Sequence, residues 1–170
     1  MEITRTLSIT AEEFFDQIEK SVLADIKEAT GKDLGRAKLN GFKYKKRARG
    51  GAKGGTPMDV KIKRYRYPEV YEVRFTYATG VNTVCYRVAD ASDDSVTIEY
   101  TEELDARGQG SRGLVGALNR KLYDVRMRRG VNQTLKAIEE MATRERNARK
   151  NNPALSELED EADSNGSDES

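Results

Sequence analysis

The chain of 170 residues contains no histidine and a single cysteine, Cys85. The first absence removes Ser-His and Cys-His nucleophile pairs and imidazole-based metal sites. Any acid–base chemistry would fall to Tyr, Asp, Glu, Lys or Arg. The second excludes an internal disulfide framework, and Cys85, sharing the outward parity of Thr83 and Arg87, reads as a surface thiol. Carboxylates could hold a hard cation, but no EF-hand-like spacing occurs, so no metal and no other cofactor is expected. No run approaches the ~18 apolar residues of a membrane span. The opening MEITRTLSIT also lacks a signal peptide's apolar core. The expectation is a cytoplasmic protein that binds rather than catalyses.

What is present is charge. Hydrophobic residues make up 36% of the chain and charged residues 35%, which fits one compact domain with polar appendages. The net charge of +1 hides an asymmetry: residues 151–170, NNPALSELEDEADSNGSDES, hold seven acidic residues and no basic ones. Those seven removed from 29 acidic residues leave 22 against 30 basic ones, a net charge of +8 on the rest. A globular domain over 1–150 and a disordered, solubilising acidic tail over 151–170 are therefore expected.

The periodicity changes twice. Glu2 to Ile9 alternates as a strand, with Ile3, Leu7 and Ile9 on one parity. Thr10 and Glu13 then have capping-box spacing, and Ile9 and Phe14 occupy hydrophobic-staple positions. Phe14, Phe15, Ile18, Val22, Leu23 and Ile26 form one helical stripe, with Gly31 as the stop. From about Leu39 the period falls to two, and five strands follow, separated by Tyr67–Glu69, Thr79–Asn82, Ala91–Asp94 and a glycine-rich segment. Such short connections make antiparallel neighbours, apolar on one face. A long helix closes the pattern from about Arg112 to Arg149. Its first stripe is Leu114, Leu118, Leu122 and Val125, its second Val131, Leu135, Ile138 and Met141, with Gly130 between them as an expected kink.

A one-faced six-stranded sheet needs a cover, and the last helix is the long candidate. This order resembles the α+β helix-grip fold of the START-like (SRPBCC) superfamily, in which a curved antiparallel sheet wraps a long C-terminal helix and one helix lies between strands 1 and 2. Within it, the opening MEITRTLSITAEEFFDQIEKSVLADIKEATGKDL, the strand LNGFKYKK and the strand TIEYTEEL are similar to a bacterial family known only as a domain of unknown function, over roughly residues 1 to 142. The resemblance implies a pocket between the sheet and the last helix and assigns no activity.

Two glycine motifs carry no nucleotide chemistry. GQGSRG, Gly108 to Gly113, matches GxGxxG formally, but no second parallel strand follows to complete a dinucleotide-binding unit. In RGGAKGGT, Lys53 precedes Gly54 and a strand follows, the reverse of a phosphate loop. Two binding readings remain. Tyr44, Tyr71, Tyr77, Tyr86 and Tyr100 fall on the inward parity, where five hydroxyls need partners. They would line a cavity for an apolar or amphipathic small molecule, with Met58, Phe75 and Leu118 as apolar wall, or form an ordinary core with hydroxyls at its rim. Alternatively, Lys43 to Arg66 holds ten basic residues and one acid. Lys43 and Lys45 on one strand, Lys61 and Lys63 on the next, and Arg47, Arg49 and Lys53 toward the glycine-rich loop make a ribbon suited to a nucleic acid or other polyanion. Exposed Tyr65 and Tyr67 would stack on bases. The plainer account of that ribbon is a solvated sheet face protected against edge pairing. Were the protein an enzyme, an inward tyrosine or Glu102 would be the acid–base candidate.

Overall fold

A computed structural model describes residues 1–47, 55–106 and 114–151; for 106 and 114–125 it describes the backbone alone. Six strands, β1 (Glu2–Leu7), β2 (Lys43–Arg47), β3 (Pro57–Arg66), β4 (Val70–Tyr77), β5 (Gly80–Ala91) and β6 (Val96–Ala106), form one antiparallel sheet ordered β1-β6-β5-β4-β3-β2. Helix α1 (Ala11–Thr30) lies between β1 and β2 in sequence, and α2 (Leu114–Asn151) ends the described chain. This is the helix-grip topology expected from the sequence. No described helix is long and apolar enough to cross a membrane.

The start of α1 follows from its capping box. Thr10 N–H donates to Glu13 Oε2 at 2.9 Å, and Glu13 N–H donates to Thr10 Oγ1 at 3.2 Å. These bonds satisfy two amides that a helix start leaves without partners. Gly31 ends the helix in the left-handed conformation, with φ of 71°, which a Cβ would penalise. Phe14, Phe15, Ile18, Val22 and Ile26 are buried in one core with Leu7, Val60, Ile62 and Ile98 of the sheet. The C-terminal half of α2 enters the same core through Val131, Leu135, Ile138 and Ala142. Ala142, eleven residues after Val131, keeps the 3.6 period; Met141 falls off it and is 46% exposed, unlike its place in the expected stripe. The helix runs through Gly130 without interruption. Arg146 locks α2 to α1 by donating through Nε and an amino nitrogen to the two oxygens of Glu13, both at 2.7 Å.

A β-bulge between Ile62 and Arg64 alters the inward parity of β3. Tyr65, expected outside, is turned into the core at 9% exposure, so the bulge removes it as a stacking platform. Tyr67 is half-buried. The hydroxyl of Tyr65 donates to Glu19 at 2.5 Å and that of Tyr67 to Asp16 at 3.0 Å, while Arg36 sits 3.8 Å from the Tyr67 ring centroid. Both phenols are held above their ordinary range by burial and then by these carboxylates, Tyr67 at about 12.

Candidate functional site

The inner face of the sheet is organised in lateral rows set by strand register. One row is aromatic: Tyr65, Tyr71, Tyr86 and Tyr100 are successive Cα partners across β3, β4, β5 and β6. Ring centroids stand 6.2, 6.5 and 5.1 Å apart along it, and Phe14 of α1 packs on Tyr86 at 5.9 Å. The next rows are Ile62, Val73, Val84 and Glu102, then Tyr44, Val60, Phe75, Asn82 and Leu104. Packing loosens along these rows from β3 toward β5. Tyr44, Val60, Ile62 and Val73 are buried; Phe75, Asn82 and Val84 are half-buried; Leu104 is 55% exposed.

On the β2 side of these rows an open groove of about 830 Å³ runs between α1 and strands β2 to β4. Small residues on α1, Ser21, Ala24 and Ala29, leave the gap, and Val22, Met58 and Phe75 give it apolar wall. Its polar side is a compact cluster. Tyr44 donates to Asp25 Oδ2 at 2.5 Å, and Lys46 Nζ donates to both Asp25 oxygens at 2.7 and 2.6 Å. Lys46 also lies 5.9 Å from the Phe75 ring centroid. Burial and then the Asp25 bond hold the Tyr44 phenol well above its ordinary range, so it stays a hydrogen-bond donor.

Further along the inner face stands a second polar pair. Glu102 is 9% exposed and its carboxylate accepts a hydrogen bond from Asn82 Nδ2 at 2.8 Å. The hydroxyls of Tyr77 and Tyr86 are raised by burial first and by the Glu102 charge second, Tyr86 to about 12. Asn82 was expected in a turn. The β4–β5 connection is in fact only Ala78 and Thr79, so Asn82 lies within β5 opposite Phe75. No group of three or more His, Cys, Asp or Glu side chains able to hold a metal occurs among the described residues.

The sequence profile of a domain of unknown function, DUF3284, matches residues 1–128. The chain belongs to that family. No curated protein matches it in sequence. Among solved structures, this DUF3284 chain is similar to a protein of unknown function from Staphylococcus aureus, with a TM-score of 0.55 and 14% identity over 85% of this chain and 94% of that one. A conserved protein from Geobacillus kaustophilus gives 0.52 and 18% over 84% and 94%. The Zhui aromatase/cyclase from a Streptomyces species gives 0.51 and 15% over 85% and 93%. At these identities the likeness is one of fold.

The structure sorts the expected site residues of this DUF3284 domain into several places. Tyr44, Met58 and Phe75 line the groove. Tyr71, Tyr86 and Tyr100 belong to the aromatic row, and Tyr77 is half-buried beside Met58's end of the sheet. Among the described residues the groove's lining includes none of α2; the side chain of Leu118 lies outside the described residues. In the basic ribbon, Lys45 pairs with Asp59 at 3.4 Å and Lys63 with Glu72 at 2.7 Å. Arg47 lines the groove, whereas Arg49 and Lys53 lie outside the described residues. Lys43, Lys61 and exposed Arg74 stand in one lateral row on the outer face, in no ion pair among the described residues. The Cys85 thiol is half-buried, and burial followed by Glu72 raises it, the opposite of what a nucleophile needs.

Sequence reasoning missed Asp25 and Asn82. Asp25 is recognisable only once Tyr44, nineteen residues away, is known to point at it.

Proposed function

We propose that this domain binds a small apolar or amphipathic molecule in the groove between α1 and strands β2 to β4. The groove itself carries the reading: about 830 Å³ is the size of a drug-sized ligand site, and it joins an apolar wall of Val22, Met58 and Phe75 to a charged rim of Asp25, Glu28, Lys45, Lys46 and Arg47, a composition suited to an amphipathic molecule. Tyr44 and Lys46 are held by Asp25, so those side chains lose little freedom when a ligand arrives. A cytoplasmic setting, and residues 151–170 as a solubilising acidic tail on a domain spanning 1–150, are part of the same proposal. A thermal-shift panel of fatty acids, alkyl alcohols, alkyl amines and polycyclic aromatics tests it. A binder raises the melting temperature in proportion to ln(1 + [L]/Kd), and a panel without any concentration-dependent shift counts against the groove as a site.

A second reading rests on the row of Lys43, Lys61 and Arg74. Like charges directly opposite one another weaken a sheet, and a polyanion on the outer face would offset that repulsion. Phosphate-backbone binding would weaken steeply with salt, and Lys43→Ala with Lys61→Ala would reduce the salt slope by about two. Absence of an RNA or DNA mobility shift at low salt removes this reading.

A further inference from the structure

Resting on the groove reading, we propose that the bound molecule carries a hydrogen-bond donor, an ammonium or hydroxyl group, that seats on Glu102 beside Asn82. The position of Glu102 is fixed by its own backbone: its N–H donates to Met1 O at 2.8 Å, and its carbonyl accepts from the Met1 amine at 2.6 Å. That amine serves the main chain and makes no ion pair with the carboxylate. An ionised carboxylate offers about four acceptor positions, yet this one receives a single described hydrogen bond, from Asn82 Nδ2. No lysine or arginine among the described residues pairs with it. A buried carboxylate without a cation or further donors is costly.

Asn82 has the same need. Its amide orientation is set by chemistry, because the reverse orientation would put Oδ1 against Glu102 Oε1, acceptor against acceptor. With Nδ2 committed to Glu102, Oδ1 is shielded from solvent and has no donor among the described residues. Both unmet groups are therefore acceptors, and both are met by a donor. A carboxylate or phosphate head would add a third acceptor to the pair.

Neither Asn82 nor Glu102 lines the groove, but Phe75 does, and it is the direct cross-strand partner of Asn82. An apolar tail along Met58 and Phe75 would extend its head past Phe75 to the Asn82 end. The other polar cluster does not compete for that head. Asp25 already receives both Tyr44 and Lys46.

Three probes of equal chain length, dodecylammonium, dodecanol and dodecanoate, test the inference by calorimetric titration of the full chain and of its Glu102→Gln variant. Glutamine keeps an oxygen to accept from Asn82 Nδ2, and circular dichroism checks that the fold is retained. The wild type is expected to bind the ammonium at least about tenfold more tightly than the carboxylate, and Glu102→Gln to lose that preference, with the alcohol changed less than about threefold. Equal binding of ammonium and carboxylate, or a preference that survives in Glu102→Gln, overturns the inference and leaves the groove reading standing. Binding of none of the three overturns both.

Discussion

The rings of Tyr71 on β4 and Tyr86 on β5 lie 16° from parallel, with centroids 6.5 Å apart. Register makes them direct partners, and Tyr65 and Tyr100 extend the row on either side. Offset aromatic pairs add to burial what area alone does not give. The row divides the inner face: α1 packs against it through Phe14, and beyond Val73 the surface loosens toward Phe75, Tyr77 and Asn82.

The row is predicted to matter through its rings. Neither the Tyr71 nor the Tyr86 hydroxyl has a hydrogen-bond partner among the described residues. Tyr86→Phe is therefore expected to change unfolding free energy by less than about 1 kcal/mol. Tyr86→Ala is expected to cost about 3–5 kcal/mol through the cavity it leaves. Urea unfolding of both variants checks this, and a large loss in the phenylalanine variant would show that the hydroxyl has a structural partner.

Alkaline pH should destabilise the fold. The phenols of Tyr67 and Tyr86 are each raised to about 12 from an ordinary 10. A raised pKa means that the folded state keeps its proton longer, so the stabilisation is complete below pH 10 and is lost as pH climbs from about 10 to 12. Tyr67→Phe should flatten part of that decline in unfolding curves taken across this window. A decline as steep in the variant as in the wild type would assign the loss to other groups.

The acid side rests on the clamp between helices. Glu13 and Glu145 are each subject to burial, which raises them, but their hydrogen bonds to Arg146, and to Lys20 and Gln17, leave both below the ordinary carboxylate value. Their contribution is present above pH 4.5 and is lost as pH falls through the lowered values. Arg146→Met removes the bidentate partner and is expected to cost about 1–2 kcal/mol at neutral pH, with a smaller difference from wild type in acid. A difference that does not shrink there would mean that packing of the arginine stem, and not its charge, holds the helices.

The groove can be obstructed from the helix side. Ala24 is exposed on α1 and lines the groove, so Ala24→Trp should place an indole across its apolar wall at a stability cost below about 1 kcal/mol, mainly helix propensity. The predicted result is an intact fold without ligand-dependent thermal shift. Shifts as large as those of wild type would place the ligand elsewhere.

Much of the fold was legible because its determinants are local. The Thr10–Glu13 capping box, the α1 stripe and the period-two strands all lie within a few residues of the features they fix. The parity of Tyr65 was not legible, because the bulge between Ile62 and Arg64 carries no glycine or other local mark. Met141 and Ala142 exchanged places because one step of helical phase separates a buried position from an exposed one. The site was the least legible part. Asp16, Glu19 and Asp25 look like the solvated side of an amphipathic helix, and they become tyrosine partners only through contacts nineteen to fifty-one residues away. Asn82 was hidden in a glycine-containing turn signal that proved to be strand.

Native mass spectrometry of gently purified full chain, followed by addition of the ligand panel, tests the central claim most directly. The account predicts a species heavier than the bare chain by one small molecule, in one-to-one stoichiometry, that disappears in Ala24→Trp. The bare mass alone, before and after the panel is added, would contradict it.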